Sequence, residues 1–213
     1  MAVGETREPA VELTGITKRF PGVLANDAVD LTVAKGEIHG LVGENGAGKS
    51  TLMNVLAGVH RPDAGTIRVL GSERQFRTAA DAIQAGIGMV HQHFMLIPSF
   101  TVLDNLILGL EPVRLGGLLD RGAARARAAE LARRHGFQVD LAAPVASLPV
   151  VLQQQVEVLK CLLQGAEVMI FDEPTSVLAP QESEALLATM RELAAAGRTI
   201  ILITHKLREV MAV

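Results

Sequence analysis

Residues 43–51 read Gly43-Glu44-Asn45-Gly46-Ala47-Gly48-Lys49-Ser50-Thr51, three glycines followed by a lysine and two hydroxyls. A loop with few Cβ atoms can turn its backbone N–H groups inward around a compact anion. Lys49 adds a full positive charge. The Ser50 hydroxyl is the kind of hard oxygen that Mg2+ accepts beside water and phosphate oxygen. An apolar run, Ile38 to Val42, leads into the loop, and a helix-compatible run, Thr51 to Ala57, leads out of it. A helix there aims its N-terminal dipole and unpaired N–H groups at the same place. The chemistry implied is capture of a triphosphate tail, with Gly43, Gly46 and Gly48 permitting the wrap; the plainer alternative is a glycine-rich turn before a helix.

A second run, Val168-Met169-Ile170-Phe171-Asp172-Glu173, places two carboxylates after four apolar residues. That pattern reads as a buried parallel strand delivering acids to the C-terminal edge of a sheet. Asp172 is placed to hold a Mg2+ shell, and Glu173, pointing elsewhere, to orient and deprotonate an attacking water. A strand that merely ends in a solvated acidic turn is the alternative. Gln92 follows the short apolar run Ile87 to Val90, where its amide could reach a metal or a water. His205 follows another such run, Thr199 to Thr204, where an imidazole could contact a terminal phosphate or simply cap the strand. Phe20, one of six aromatic residues, could stack on a base or pack in a core.

The elements that must position these groups follow from the pattern of apolar residues. Val11 to Ile16 and Ala28 to Val33 read as strands, Lys18 to Gly22 as a turn, Thr66 to Leu70 as a strand, and Thr78 to Ala85 and Gln181 to Ala196 as helices. From Thr101 to Gly165 the chain is rich in Ala, Leu and Arg, which reads as a helical lobe inserted into an α/β domain. This divides the single domain into an α/β core, 1–100 and 166–213, and a helical part, 101–165. Arg121 to Arg134 holds five arginines without interleaved aromatics, the pattern of a solvated helix face.

The totals limit the function classes. At 213 residues with a formal net charge of −3, the chain can bury a large core and offers no electrostatic ground for nucleic-acid binding. One cysteine, Cys161, excludes an internal disulfide framework and fits a reducing compartment. The most apolar stretch, Met95 to Leu110, is interrupted by Pro98, Asp104 and Asn105, and Met1 to Ala10 has no apolar signal-peptide core. A cytoplasmic protein is expected.

Taken together, these residues resemble the ATP-binding subunit of ATP-binding-cassette (ABC) transporters over nearly the whole chain, from Val11 to Met211. The glycine loop resembles a Walker A motif, Val168 to Glu173 a Walker B motif with its catalytic Glu, Gln92 the Q-loop glutamine, His205 the switch histidine and Phe20 the aromatic that stacks on adenine. The runs Ile16 to Val23, Met89 to Leu96, Val156 to Lys160 and Thr204 to Val210 are similar to the first cassette of bacterial simple-sugar and nucleoside importers, in which one polypeptide usually carries two cassettes in tandem. The resemblance implies a P-loop NTPase core, a parallel sheet flanked by helices, with an antiparallel β subdomain and an inserted α-helical subdomain. It also implies that this chain is a fragment whose C-terminal continuation is absent.

By the same resemblance, the cofactors are ATP and Mg2+. Glu44, Asn45, Ala47 and Thr51 join the three glycines, Lys49 and Ser50 around the phosphates, while Ser50, Gln92 and Asp172 serve the metal and Glu173, His205 and Gln92 the hydrolysis. The implied partners are a second cassette, as tandem half or homodimer, transmembrane permease subunits at the inner face of the cell membrane and, indirectly, a solute-binding protein; nucleic acid is not among them. Phe94, Met95 and Leu96 beside Gln92 are suited to docking a partner helix. Three positions depart from the family pattern. Val151 stands where the signature has glycine, Gln155 where it has arginine, and Ala179 where most cassettes have Asp. A β-branched residue at 151 should obstruct approach to the nucleotide held by the partner cassette. An ATP-binding regulatory cassette and a soluble non-transport ABC ATPase are therefore the alternatives to a transport ATPase.

Overall fold

The computed structural model describes residues 8–92, 94–109 and 120–213, so His93 of the run beside Gln92 and the end of the Met95 to Leu110 stretch lie outside the described residues. Two long strands, β1 (Pro9–Phe20) and β2 (Val23–Ala34), open the chain as a hairpin. Both are longer than the alternation implies, and Lys18 to Phe20 belong to β1, which leaves only Pro21 and Gly22 in the turn. The cause is irregular pairing: the register shifts at four places along β1, and two of the irregularities involve Gly15, whose φ is 62°, and Ala28, whose φ is 47°. Each irregularity hides the period of two that a strand normally shows. The amides of these two residues are also satisfied: Gly15 N–H donates to Asp30 Oδ1 (2.7 Å) and Ala28 N–H to Thr17 Oγ1 (3.0 Å).

The remaining elements are β3 (Ile38–Val42), α1 (Lys49–Leu56), β4 (Ala64–Val69), β5 (Ser72–Arg74), α2 (Ala79–Gln84), β6 (Ile87–Val90), α3 (Val102–Ile107), α4 (Arg121–Arg134), α5 (Val150–Leu163), β7 (Val168–Asp172), α6 (Pro180–Ala195), β8 (Thr199–Thr204) and α7 (Leu207–Met211). They form an antiparallel sheet of order β2-β1-β4-β5 and a parallel sheet of order β3-β8-β7-β6. The three-residue β5 is an addition to the sequence expectation, its polar Ser-Glu-Arg run giving no apolar signal.

Alternation along β7 shows how the layers stack. Val168 and Ile170 enter the core shared with α1 and the antiparallel sheet, whereas Met169 and Phe171 enter the core shared with α3, α5 and α6. All five β7 residues are buried, and full burial of each large apolar side chain stabilises by about 1.5–3 kcal/mol relative to exposure. That gain keeps the strand in place although Asp172 is carried inside with it. On α4, Ala124, Ala128 and Ala132 form a buried stripe, and the five arginines lie outside it, Arg121 paired with Asp104 and Arg133 and Arg134 with Glu130. Among the described residues no helix is long and apolar enough to cross a membrane.

Candidate functional site

The glycine loop connects β3 to α1, and its backbone demands differ from glycine to glycine. Gly46 and Gly48 both have φ of 84°, in the left-handed region that glycine alone adopts without penalty. Gly43 does not, and a Cβ there would make only ordinary contacts with the protein, at 3.6 Å. Gly48 is the most constrained. A Cβ at that position would lie 2.3 Å from Ala25 O and 2.9 Å from Asn26 Nδ2, because β2 passes directly behind the loop. Gly48→Ala is therefore expected to destabilise the chain by at least about 2 kcal/mol, whereas Gly46→Ala, whose Cβ would meet nothing within 4 Å, should lose only about 1 kcal/mol to its backbone angle. Thermal melts of the two variants measure the difference.

Lys49 is the first residue of α1, and its Nζ donates to the carbonyls of Gly43 and Glu44, both at 2.7 Å. Those bonds hold the ammonium across the loop mouth. The loop's own turn is closed by Ala47 N–H donating to Glu44 O at 3.2 Å. Asn45, Gly46 and Ala47 are exposed at its tip, and Thr51 is half-buried in the first turn of the helix.

Ser50 Oγ donates to Asp172 Oδ1 at 3.1 Å, which brings the loop and the end of β7 together. Burial pushes the Asp172 carboxyl above its ordinary range; the Ser50 hydroxyl opposes that rise and the neighbouring Glu173 adds to it. Glu173 itself has φ of 44°, an uncommon angle for a residue with a side chain, held by its amide donating to Ile203 O at 3.0 Å. Glu173 Oε1 faces His205 Nδ1 at 3.3 Å. Sheet order explains the meeting: β8 lies between β3 and β7, so His205 emerges between the glycine loop and the acids.

The other expected residues are placed less directly. Gln92 is exposed, two positions beyond β6. Phe20 is 38% exposed at the hairpin end and so is not a core residue; its ring meets His60 edge-on and has Lys18 Nζ 5.5 Å from its centre. Asp63 braces the same end by accepting from Arg19 N–H at 2.6 Å. Of the three apolar residues beside Gln92, only Met95 is freely presented, at 62% exposure. Leu96 is buried and Phe94 packs against the helical core, a correction to their expected joint role as a docking patch.

Three further residues not singled out from the sequence support the site. Asn26 is buried and donates from Nδ2 to Gly48 O at 3.2 Å. Gln154, buried on α5, donates to Pro174 O at 2.7 Å and so ties that helix to the segment after Glu173. Glu157, also on α5, accepts from Met95 N–H at 2.6 Å and anchors the segment carrying Gln92. An isolated polar residue among apolar ones could have flagged Glu157; nothing local marks the partners of the other two.

Burial pushes the Glu157 carboxyl up, against the pull of the Met95 amide and the Lys160 ammonium. Below the ordinary carboxylate range both folded and unfolded states are protonated, so no penalty exists there; as pH rises through that range the buried charge begins to destabilise. Glu157→Gln keeps an acceptor for Met95 and removes the charge. Its expected effect is a melting temperature roughly 2–4 °C higher near neutral pH, the shift of about 1 kcal/mol in a domain of this size. The gain should vanish in acid, which melts at the two pH values check.

At the start of α5, Val150 is exposed, while Val151 is half-buried and lines a cavity of about 30 Å³ between α5 and α6 with Phe137, Gln154, Gln155 and Leu186. Ala179 occupies the N-cap position of α6, where its side chain offers no acceptor; Glu182 instead accepts from the Ala179 amide at 2.9 Å.

Comparison with known proteins adds to this geometry. The ABC transporter family profile matches residues 26–176. Ribose import ATP-binding protein RbsA 1 of Burkholderia thailandensis is 52% identical over 201 residues, covering 94% of this chain and 40% of that protein. Nucleoside import ATP-binding protein NupA of Lactococcus lactis subsp. cremoris is 48% identical over 206 residues, covering 97% of this chain and 40% of that protein. This chain thus spans 40% of the length of these curated relatives. The crystal structure of a nucleotide-free ATP-binding cassette from an ABC transporter matches with a TM-score of 0.82 at 24% identity, covering 95% of this chain and 84% of that one, a likeness of fold.

Proposed function

Because the chain belongs to the ABC transporter family, we propose that it is an ATP-binding and ATP-hydrolysing cassette of an importer. The observation that carries this reading is the Ser50–Asp172 hydrogen bond, which joins two hard-oxygen groups 122 positions apart beside the Lys49 ammonium. Such a pair suits Mg2+, which binds one or two protein oxygens and keeps water and phosphate for the rest. Among the described residues there is no group of three or more His, Cys, Asp or Glu that could hold a metal alone.

In this reading the loop from Gly43 to Thr51 surrounds the phosphates of ATP, Lys49 neutralises their charge, and the exposed Phe20 stacks on the base. Ser50, Asp172 and the Gln92 side chain would hold Mg2+, which supplies charge neutralisation at phosphate oxygens. Glu173 orients and deprotonates the attacking water, and His205 contacts the terminal phosphate. Phosphoryl transfer depends mostly on positioning and charge, which these groups provide.

The names of two relatives, which state import of ribose and of nucleosides, support the reading of the solute, and the family resemblance supports that of the partners and location. The solute is a simple sugar or nucleoside, the partners are a second cassette and membrane permease subunits, and the chain works at the inner face of the membrane. Residues 101–165 act as the lobe that presents the signature to the partner cassette. Val151 favours a second reading of that surface, a cassette that binds ATP at its own loop and contributes a weakened signature to its partner.

Equilibrium binding and steady-state turnover of Mg-ATP by this chain, with Val151→Gly beside it, test the proposal. Tight binding that depends on the triphosphate supports it, and failure to bind either ATP or inorganic tripolyphosphate overturns it. Turnover raised by Val151→Gly locates the weakness in this chain's own signature; unchanged turnover transfers the requirement to the second cassette. Since Val151 lines the α5–α6 cavity, the glycine variant should also be less stable by about 1–2 kcal/mol.

A further inference from the structure

Glu209 lies midway along the five-residue α7 and is only 7% exposed, an acid carried into the interior by a short helix. Its two oxygens are divided between two hydroxyls. Oε1 accepts from Thr175 Oγ1 and lies 3.2 Å from Lys206 Nζ, and Oε2 accepts from Thr204 Oγ1 at 2.7 Å. Both hydroxyls also accept: Thr175 Oγ1 from Lys206 Nζ at 3.1 Å, and Thr204 Oγ1 from the Lys206 amide at 3.0 Å. Each threonine therefore gives its proton to Glu209 and receives one from Lys206, so the network closes on itself. Burial opposes ionisation of Glu209, but the bonds from Thr175, Thr204 and Lys206 together hold its carboxyl below the ordinary range. A closed polar network of this kind fixes one arrangement, because any other leaves a buried group unpaired.

The two threonines mark where that arrangement matters. Thr175 stands two residues after Glu173, and Thr204 immediately precedes His205. These segments carry the pair that meets at 3.3 Å, and His205, itself exposed, lies outside the packed core. We propose that Glu209 is a positioning residue whose carboxylate locks the segments bearing Glu173 and His205 at the separation their contact requires. The inference rests on the proposed reading of Glu173 and His205 as the hydrolytic pair. An apolar residue at 209 would fill the same space and leave both hydroxyls without their acceptor, so filling alone cannot do this work.

The test is a double-substitution cycle read on the ring resonances of isotope-labelled His205 at one fixed pH. In the parent, Glu173→Gln moves those resonances, since it changes the group 3.3 Å away. In a Glu209→Ala background the same substitution is expected to move them by less than roughly half as much, the signature of two lost neighbours. An equal displacement in both backgrounds overturns the inference. If Glu209→Ala does not fold, Glu209→Gln takes its place: it keeps one oxygen acceptor and should give an intermediate displacement, and a displacement equal to the parent's again overturns the role. The cycle requires no nucleotide, so it is independent of the reading beneath it. Turnover measured on the single Glu209 variant should show kcat reduced about tenfold with KM near the parent's value. A parent that hydrolyses no ATP counts against the hydrolytic reading, while the resonance cycle still decides the role of Glu209.

Discussion

Glu173→Gln is expected to stop ATP turnover while leaving Mg-ATP binding near the parent's level. The loss should reach at least about 100-fold, the lower end of what a positioned general base contributes. The amide variant has the same shape and can still contact His205 across the 3.3 Å gap, so the site keeps its arrangement and loses only the ability to take a proton. Steady-state hydrolysis and equilibrium binding on the same preparation decide it: turnover at the parent's rate would remove Glu173 from the mechanism. A companion variant separates chemistry from folding. The φ of 44° at Glu173 is one that glycine adopts freely, so Glu173→Gly should be inactive yet at least as stable as the parent. A gain in stability with loss of activity is the pattern expected when backbone strain serves function.

Lys49→Ala should weaken ATP binding by about 100-fold, since a charge-assisted hydrogen bond contributes about 1.5–3 kcal/mol and the proposed role sets this ammonium against the most highly charged part of the nucleotide. Lys49 Nζ is held by the carbonyls of Gly43 and Glu44 at 2.7 Å, which positions the cation over the loop. The variant loses that positioning together with the charge. Titration with ATP, ADP and adenosine gives the diagnostic pattern: the loss should grow with the number of phosphates and be absent for adenosine. A uniform loss across the three would mean that the loop had collapsed, and no loss for ATP would mean that the phosphates lie elsewhere.

Much of this was legible because the relevant constraints are local. Gly46 and Gly48 announce a backbone that side chains resist, and the run from Val168 to Glu173 announces a buried strand ending in acids. The departures also have local explanations. Irregular pairing at Gly15 and Ala28 breaks the alternation that would have shown the full length of the hairpin. Leu96 and Phe94 read as a docking patch because a residue's hydrophobicity does not say which apolar surface it meets.

The sequence by itself determined the glycine loop between strand and helix, the strand that delivers Asp172 and Glu173, and the family, because each is written in consecutive residues or fixed spacings. Only the tertiary structure decided which distant groups close on one another. Insertion of β8 between β3 and β7 brings His205 to Glu173, and the short α7 carries Glu209 between Thr175 and Thr204. The physical reason is that sheet order follows from the burial of both faces of these strands at once, a property of the assembled core that no single segment contains.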